Sequence, residues 1–222
     1  MGSLAIIPAR GGSKGLRRKN VLPMAGRPML AHSVAAALES GLFDEVVVSS
    51  EDDEILAAAR AAGATAIVRP DALSTDTASS ADVVLHALEQ HRWADTFALL
   101  QPTSPLRTAA HLREAAALLT AETIAVVSIC ECAHHPLKTL LQVDGHFVPT
   151  REWRDLTQPR QSLPRAVQPN GAIYFGRSRS FVESKDFLPA GTVWYEMSQT
   201  ASIDVDDATS FGEAERALLS GL

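Results

Sequence analysis

Residues 4–20, LAIIPARGGSKGLRRKN, decide the fold. Leu4-Ala5-Ile6-Ile7 is a short continuous apolar run of the kind that forms a strand buried on both faces. Pro8 ends it, because proline has no N–H to give a sheet ladder. Gly11, Gly12 and Gly15 then fall among Arg10, Lys14, Arg17, Arg18 and Lys19. Glycine lets backbone amides approach a ligand closely, and successive amides form an anion-binding concavity. A buried strand that runs into a basic glycine loop is how α/β proteins hold phosphate at the carboxyl edge of a sheet. The loop matches neither the Walker A spacing nor G-x-G-x-x-G. Its other reading is a solvated basic turn after an edge strand.

Outward from this loop, strands and helices alternate. Asn20–Pro28 is a turn-rich link, and Met29–Leu42 has the pattern of an amphipathic helix ending near Gly41. Phe43–Ser49 is a short β-branched strand. Glu51–Ala62 is an Ala-rich helix with acids in its first turn, closed by Gly63. Ala64–Val68 is a third strand. Ser74–Ser80 is a polar turn capping a helix over Ala81–His91. Phe97–Gln101 is a strand stopped by Pro102, Thr108–Thr120 a helix, and Ile124–Cys130 a strand. This order predicts a Rossmann-like, doubly wound, mostly parallel sheet, with chemistry at the carboxyl ends of its strands. Ala133–Pro169 breaks the rhythm with prolines and arginines and no room for an ordinary helix. Within it, Leu140–Val143 and Phe147–Pro149 can pair across Asp144-Gly145 as a hairpin. Ala172–Phe175, Val193–Met197 and Ala201–Asp204 have strand character, Ser178–Ser184 and Thr209–Leu219 helical character. The expected organisation is one domain over residues 1–222, with an arm at about 133–169.

A chain of 222 residues with 46% hydrophobic content suits one α/β unit with a real core. Its net charge of −6 gives no global support to nucleic-acid binding, so a basic loop on an acidic protein points to a local anion site. The two cysteines, Cys130 and Cys132, have neither redox-pair nor zinc-knuckle spacing and read as small buried side chains in a reducing, cytoplasmic setting. The four-residue apolar run at the start is too short for a signal peptide, and no stretch reaches a membrane span. His134 and His135 are adjacent, point apart when extended, and read as structural.

Ser202-Ile203-Asp204-Val205-Asp206-Asp207 is the most telling acidic group. When extended, Asp204 and Asp206 share one face, while Ile203 and Val205 share the other. Two carboxylates so placed repel unless a cation lies between them, and such oxygen ligands suit Mg²⁺ bridging to substrate phosphates. The same residues could instead cap the last helix.

A-R-x-x-S-K-G-x-x-x-K-N resembles the nucleotide loop of the acylneuraminate cytidylyltransferases. Arg69-Pro70 with Leu73-Ser74-x-Asp76-Thr77, Leu99–Arg107 (LLQPTSPLR), Arg160-Gln161, Asn170–Tyr174 (NGAIY) and Ser202–Asp206 (SIDVD) follow in that family's order along nearly the whole chain. The resemblance implies an enzyme that joins CTP to N-acetylneuraminic (sialic) acid and releases pyrophosphate. It implies a nucleotide site of Ala9, Arg10, Gly11, Ser13, Lys14, Lys19 and Asn20 at the triphosphate, with Arg69 and Ser80 at cytosine and its ribose. Arg10 and Lys19 are the implied catalytic cations, Asp204 and Asp206 the implied catalytic metal pair for Mg²⁺, and Asp207 the helix cap. Arg17 and Arg18 are expected to be solvated. Gln101, Arg160, Asn170, Tyr174 and Phe187 match the sugar-acid pocket, and Lys138 is expected from the arm of a second subunit in a homodimer. Leu188 stands where the family has an aromatic, which leaves the acyl group open. Legionaminic, pseudaminic and 3-deoxy-manno-octulosonic acids are the alternative substrates, the last opposed by Ser13-Lys14-Gly15 and Lys19-Asn20. A non-catalytic nucleotide-binding module is the rival of a different class. No nucleic-acid or membrane partner is expected.

Overall fold

The computed structural model describes residues 2–13, 15–75 and 77–221. In chain order the first half contains β1 (Gly2–Pro8), β2 (Pro23–Met24), β3 (Arg27–Pro28), α1 (Met29–Ser40), β4 (Glu45–Ser50), α2 (Asp53–Ala61), β5 (Thr65–Val68), α3 (Ser80–Gln90) and β6 (Ala94–Leu99). The second half contains α4 (Ala109–Ala117), β7 (Ala125–Glu131), β8 (Leu140–Val143), β9 (His146–Pro149), β10 (Val167–Arg177), α5 (Ser178–Ser184), β11 (Val193–Glu196) and α6 (Ala208–Leu219). A seven-stranded sheet has the order β11-β7-β10-β6-β1-β4-β5. Strand β1 pairs in parallel with both β4 and β6, so the chain winds first to one side of β1 and then to the other.

The strands are apolar throughout because both faces of the sheet are covered. Ala5 and Ile7 of β1 pack with Leu30 and Val34 of α1 and Ile55 of α2 on one face. Leu4 and Ile6 pack with Val84 and Leu88 of α3 and Phe181 of α5 on the other. Each such aliphatic side chain contributes about 1.5–3 kcal/mol on full burial. A third cluster joins Met24, Met29 and Leu106 to Val205, Ala214 and Ala217, and it anchors α6 beside the β2–β3 hairpin.

Helix ends follow their sequence signals. The α1 helix stops at Gly41, whose φ of 67° is left-handed. Asp52 caps α2 by accepting the N–H groups of Glu54 and Ile55 at 3.0 and 3.1 Å. Thr108 caps α4, and Asp207 caps α6 by accepting the Ser210 N–H at 2.8 Å. The β8–β9 hairpin forms as expected, with φ values of 50° at Asp144 and 80° at Gly145.

Two elements differ from the sequence reading. Strand β10 is longer than Ala172–Phe175 and runs antiparallel between β6 and β7. A parallel return usually runs through a crossover helix; residues 133–166 contain no α-helix, and the returning strand is reversed. Ala201–Asp204 is not a strand: residues 200–202 form a single 3₁₀ turn, and the chain then runs unladdered to Asp206, held by Val205 N–H to Thr103 C=O at 2.8 Å.

The structural reading holds for His135, and the buried reading for Cys130 but not for Cys132. His135 accepts from Leu137 N–H at 3.2 Å and meets Pro164 C=O at 2.8 Å, a structural role. Cys130 is buried, Cys132 half-buried, and both are free. Among the described residues no helix is long and apolar enough to cross a membrane. Gly41→Ala meets no steric obstacle but must hold φ near 67°, so it is expected to cost about 1 kcal/mol and lower the thermal midpoint by about 2–4 °C.

Candidate active site

Beyond the carboxyl ends of β1 and β6, where the winding reverses, lies a cleft of about 500 Å³. Its walls include Pro8, Arg10, Ser13, Gly15, Lys19 and Asn20 from the first loop. Arg69, Thr75, Ser79 and Ser80 line it from the β5–α3 side, Gln101, Pro102 and Thr103 from the end of β6, and Asp204 and Asp206 from the last segment.

The loop and the last segment meet in contact. Lys19 Nζ donates to Val205 C=O at 2.7 Å and to Asp206 Oδ1 at 3.0 Å. Val205 is fully buried, so its neighbours Asp204 and Asp206 turn to the cleft, as the alternation predicts. A methyl group on Gly15 would lie 2.1 Å from Asp206 C=O, so only glycine allows this approach. Burial in the cleft pushes the Asp204 carboxyl above its usual range; Asp206 adds to this, while the Thr103 hydroxyl and Lys19 oppose it. Asp206 and Lys19 therefore stand beside a carboxyl whose charge is only partly compensated.

A second set of acids holds the loop from behind. Gly11 N–H donates to Glu51 Oε1 at 2.7 Å, while Glu51 Oε2 accepts from Arg69 at 3.1 Å. Burial alone would raise the Glu51 carboxyl, but Gly11 N–H, its own N–H, Ser74 and Arg69 hold it below its usual range. Arg18 forks onto Asp52, with Nη2 at 3.0 Å from Oδ1, and also contacts Glu54. This corrects the solvated reading of Arg18, whose bond to Asp52 holds that carboxyl below its usual range. Arg17 is exposed.

The nucleotide-loop candidates divide. Arg10, Ser13, Lys19, Arg69 and Ser80 line the cleft, and Arg10 Nη1 reaches Thr75 C=O at 3.4 Å. Arg69 is 4% exposed, not a surface residue before a proline; burial lowers its pKa and Glu51 opposes that. Ala9 is buried and its N–H pairs with Ser49 C=O, so its side chain faces the core. The Gly11 amide is already taken by Glu51. Asn20 shapes the loop by donating to Arg10 C=O at 2.9 Å. Lys14 lies outside the described residues.

The sugar-pocket candidates divide as well. Gln101 lines the cleft. Tyr174 packs on Phe187, with ring centroids 5.5 Å apart, and its phenol is pushed up by burial and then by the charge of Asp204. Asn170 is turned inward: it accepts from Ser128 Oγ at 2.5 Å and Ala172 N–H at 3.1 Å, and donates to Ser202 Oγ at 2.8 Å. Its amide is committed to the protein interior. Lys138 donates to Leu156 C=O at 3.3 Å and Gln158 C=O at 2.5 Å, and Arg160 donates to Ala133 C=O at 2.7 Å; both lie in the arm, off this chain's own cleft. Glu51 and Thr103 were missed. The signal for Glu51 was an acidic run, 51–54, at the carboxyl end of a strand.

A doubly wound α/β sheet with a mixed cationic and acidic cleft at its switch point defines a protein of the nucleotidyltransferase fold. A solved CMP:2-keto-3-deoxy-manno-octonic acid synthetase complexed with CTP superposes with a TM-score of 0.77 over the whole of both chains, at 19% identity. A family model described as cytidylyltransferase matches residues 4–206, and the chain belongs to that family. It is 36% identical to the N-acylneuraminate cytidylyltransferase of Escherichia coli over 94% of this chain and 50% of that protein. The chain thus spans about half the length of that relative. It is also 36% identical to the pseudaminic acid cytidylyltransferase of Campylobacter jejuni over 85% of this chain and 83% of that protein. The CMP-N,N'-diacetyllegionaminic acid synthase of Legionella pneumophila is 32% identical over 97% of this chain and 95% of that protein.

Asp52→Asn should keep the α2 cap but lose the ion pair, at about 0.5–1 kcal/mol near neutral pH. Because the folded carboxyl titrates below its ordinary value, the stabilisation is present above that value and lost as pH falls through the folded one. Denaturant melts of both proteins should therefore converge below about pH 3.9.

Proposed function

We propose that this chain joins CTP to a free nonulosonic acid, with N-acetylneuraminic acid as substrate, and releases pyrophosphate. The observation that carries this function is the convergence of Lys19 on Val205 C=O and Asp206, in the cleft that also holds Arg10, Ser13 and Arg69. The anomeric hydroxyl of the sugar acid attacks the α-phosphorus in line; the O–P bond forms as the bond to the bridging oxygen of pyrophosphate breaks. Such transfers depend mainly on positioning and charge neutralisation. Arg10 and Lys19 hold the phosphate oxygens and offset charge that builds on the leaving group. Arg69, fixed by Glu51, and Ser80 face cytosine and its ribose, and Gln101 and Tyr174 bind the sugar acid.

Asp204 and Asp206 fit a divalent cation such as Mg²⁺. They are two cleft-lining carboxylates, Asp204 held above its usual range by burial and then by the charge of Asp206, and among the described residues no third His, Cys, Asp or Glu completes an all-protein cage. Asp204 and Asp206 would hold such an ion, which is ordinarily bound by one or two carboxylates with water and phosphate, and it would supply charge neutralisation at the phosphates and a lowered pKa of the attacking hydroxyl.

The arm supports a homodimer. Leu141, Phe147 and Trp153 on it are at least half exposed, an apolar surface that a second copy would cover. Lys138 uses two of its three donors inside the arm, leaving one for the sugar acid in the second copy's cleft. A pseudaminic or legionaminic acid as substrate is the second reading, favoured by the two relatives that share nearly all of their length with this chain.

Pyrophosphate release with CTP, Mg²⁺ and a panel of nonulosonic acids tests the function and ranks the substrates; CTP binding with no release would identify a non-catalytic module. Asp206→Ala should lose turnover by about 10²-fold or more while keeping its thermal midpoint within a few degrees. Near-normal rates would remove Asp206 from the metal site. Lys19→Ala should weaken CTP binding and slow turnover together. Leu141→Asp with Phe147→Asp should give a monomer by sedimentation; an unchanged mass would remove the arm from the dimer.

A further inference from the structure

Arg107 is the largest fully buried side chain among the described residues and takes no part in the chemistry above. Its exposure is 2%, and among the described residues its Nε and Nη2 have no hydrogen-bond partner. None of the ion pairs found among those residues includes it, and burial pushes its pKa down to about 9. An apolar side chain of similar volume would fill the same space without the desolvation cost of a charge. The guanidinium therefore calls for a use beyond packing.

Its one engaged nitrogen shows what that use is. Nη1 donates to Ala172 C=O at 2.6 Å and to Gln101 C=O at 3.3 Å. Gln101 is where the chain leaves β6 for the cleft, and Ala172 lies in the irregular part of β10, between Pro169 and Tyr174. These two segments meet again through side chain and backbone. Gly171 has φ of 77°, and a methyl group built on it would lie 2.7 Å from Gln101 Oε1. Ala172 is held from its other side as well, by its N–H to Asn170 Oδ1 at 3.1 Å. Gln101 thus has its carbonyl fixed by Arg107 and its amide laid over a backbone that Arg107 and Asn170 fix together.

We infer that Arg107 is a positioning residue for the sugar-acid side of the cleft, setting the place of the Gln101 amide through the carbonyls of Gln101 and Ala172. The ligand concerned is a polyhydroxylated sugar acid that hydrogen-bonds to that amide. The hydrogen bonds of the guanidinium run to Gln101 and Ala172, on the sugar-acid side, and not to the nucleotide side of the cleft. The inference rests on the proposed function. Lysine keeps the charge and one nitrogen, but lacks the planar guanidinium that fixes where Nη1 sits between the two carbonyls.

The test is steady-state pyrophosphate release by Arg107→Lys, Arg107→Met and Gly171→Ala, with each substrate varied at saturation of the other, alongside thermal melts. All three should raise KM for the sugar acid by roughly 10-fold or more, because a small misplacement of a substrate-orienting group is enough for that. KM for CTP should stay within about 2-fold, and Arg107→Lys should be the mildest. Adding Arg107→Lys to Gln101→Ala should give no further rise, since the arginine acts only through the amide that Gln101→Ala removes. Both KM values rising together, or neither rising, would overturn the inference. If Arg107→Met does not fold, Arg107→Lys and Gly171→Ala decide; if neither arginine variant folds, Gly171→Ala alone and with Gln101→Ala decides by the same signature. Absence of release by the unaltered protein with every acid tested would overturn the function itself, and this assignment with it; that measurement comes before any variant.

Discussion

The ammonium of Lys19, 2.7 Å from the carbonyl of Val205 and 3.0 Å from Asp206, joins the first loop of the chain to its last. The partners are separated by 186 and 187 residues, so the bond exists only when the whole sheet has formed. It is a charge-assisted bond on a side chain that is mostly shielded, and such bonds are stronger than neutral ones. It is also conditional. Val205 must be buried with Met24, Met29 and Leu106, and that cluster exists only because α6 packs across the β2–β3 hairpin. Gly15 must lack a side chain, or the loop could not lie against Asp206 C=O. Apolar packing at the far end of the chain therefore determines where the first loop places its cations.

Concentrating cations in one loop has an electrostatic cost, which the acidic turn at the start of α2 offsets. Burial and, to a smaller extent, Arg10 disfavour the charged form of Arg69, and Glu51 opposes them in part. Arg18 is taken by Asp52 and Glu54, and Gly11 N–H by Glu51. The basic residues accordingly fall into two kinds. Arg18 braces the loop from behind, while Arg10 and Lys19 line the cleft. Net charge would not have separated them, since it counts every residue alike; only the position of the α2 N-terminus behind the loop does.

Much of this was legible in the sequence where the governing interaction is local. The α1 stop at Gly41, the Asp207 cap and the Asp144-Gly145 hairpin each depend on a few neighbouring residues. The facing of Asp204 and Asp206 was legible too, because Ile203 and Val205 needed a core. What was not legible depends on partners far along the chain. Arg18 looks solvated until α2 comes up behind it. Asn170 has the donors and acceptors of a sugar-binding amide, but Ser128, Ala172 and Ser202 use them. Ala201–Asp204 is β-prone in composition, yet no sheet edge is offered to it, and Thr103 supplies a single backbone acceptor instead.

The reversed strand β10 is where fold and site are least separable. The chain leaving β7 makes no helical crossover and rejoins the sheet antiparallel, between β7 and β6. That insertion puts an irregular stretch, Asn170–Ile173, directly against the end of β6 from which Gln101 enters the cleft. Regular pairing at this point would put a continuous ladder where the structure has a left-handed glycine and a buried arginine. The same excursion that carries the apolar arm away from the sheet therefore also brings the chain back in the orientation that shapes the cleft wall. Shortening residues 133–166 to a simple turn would alter both features at once, because they are two ends of one connection.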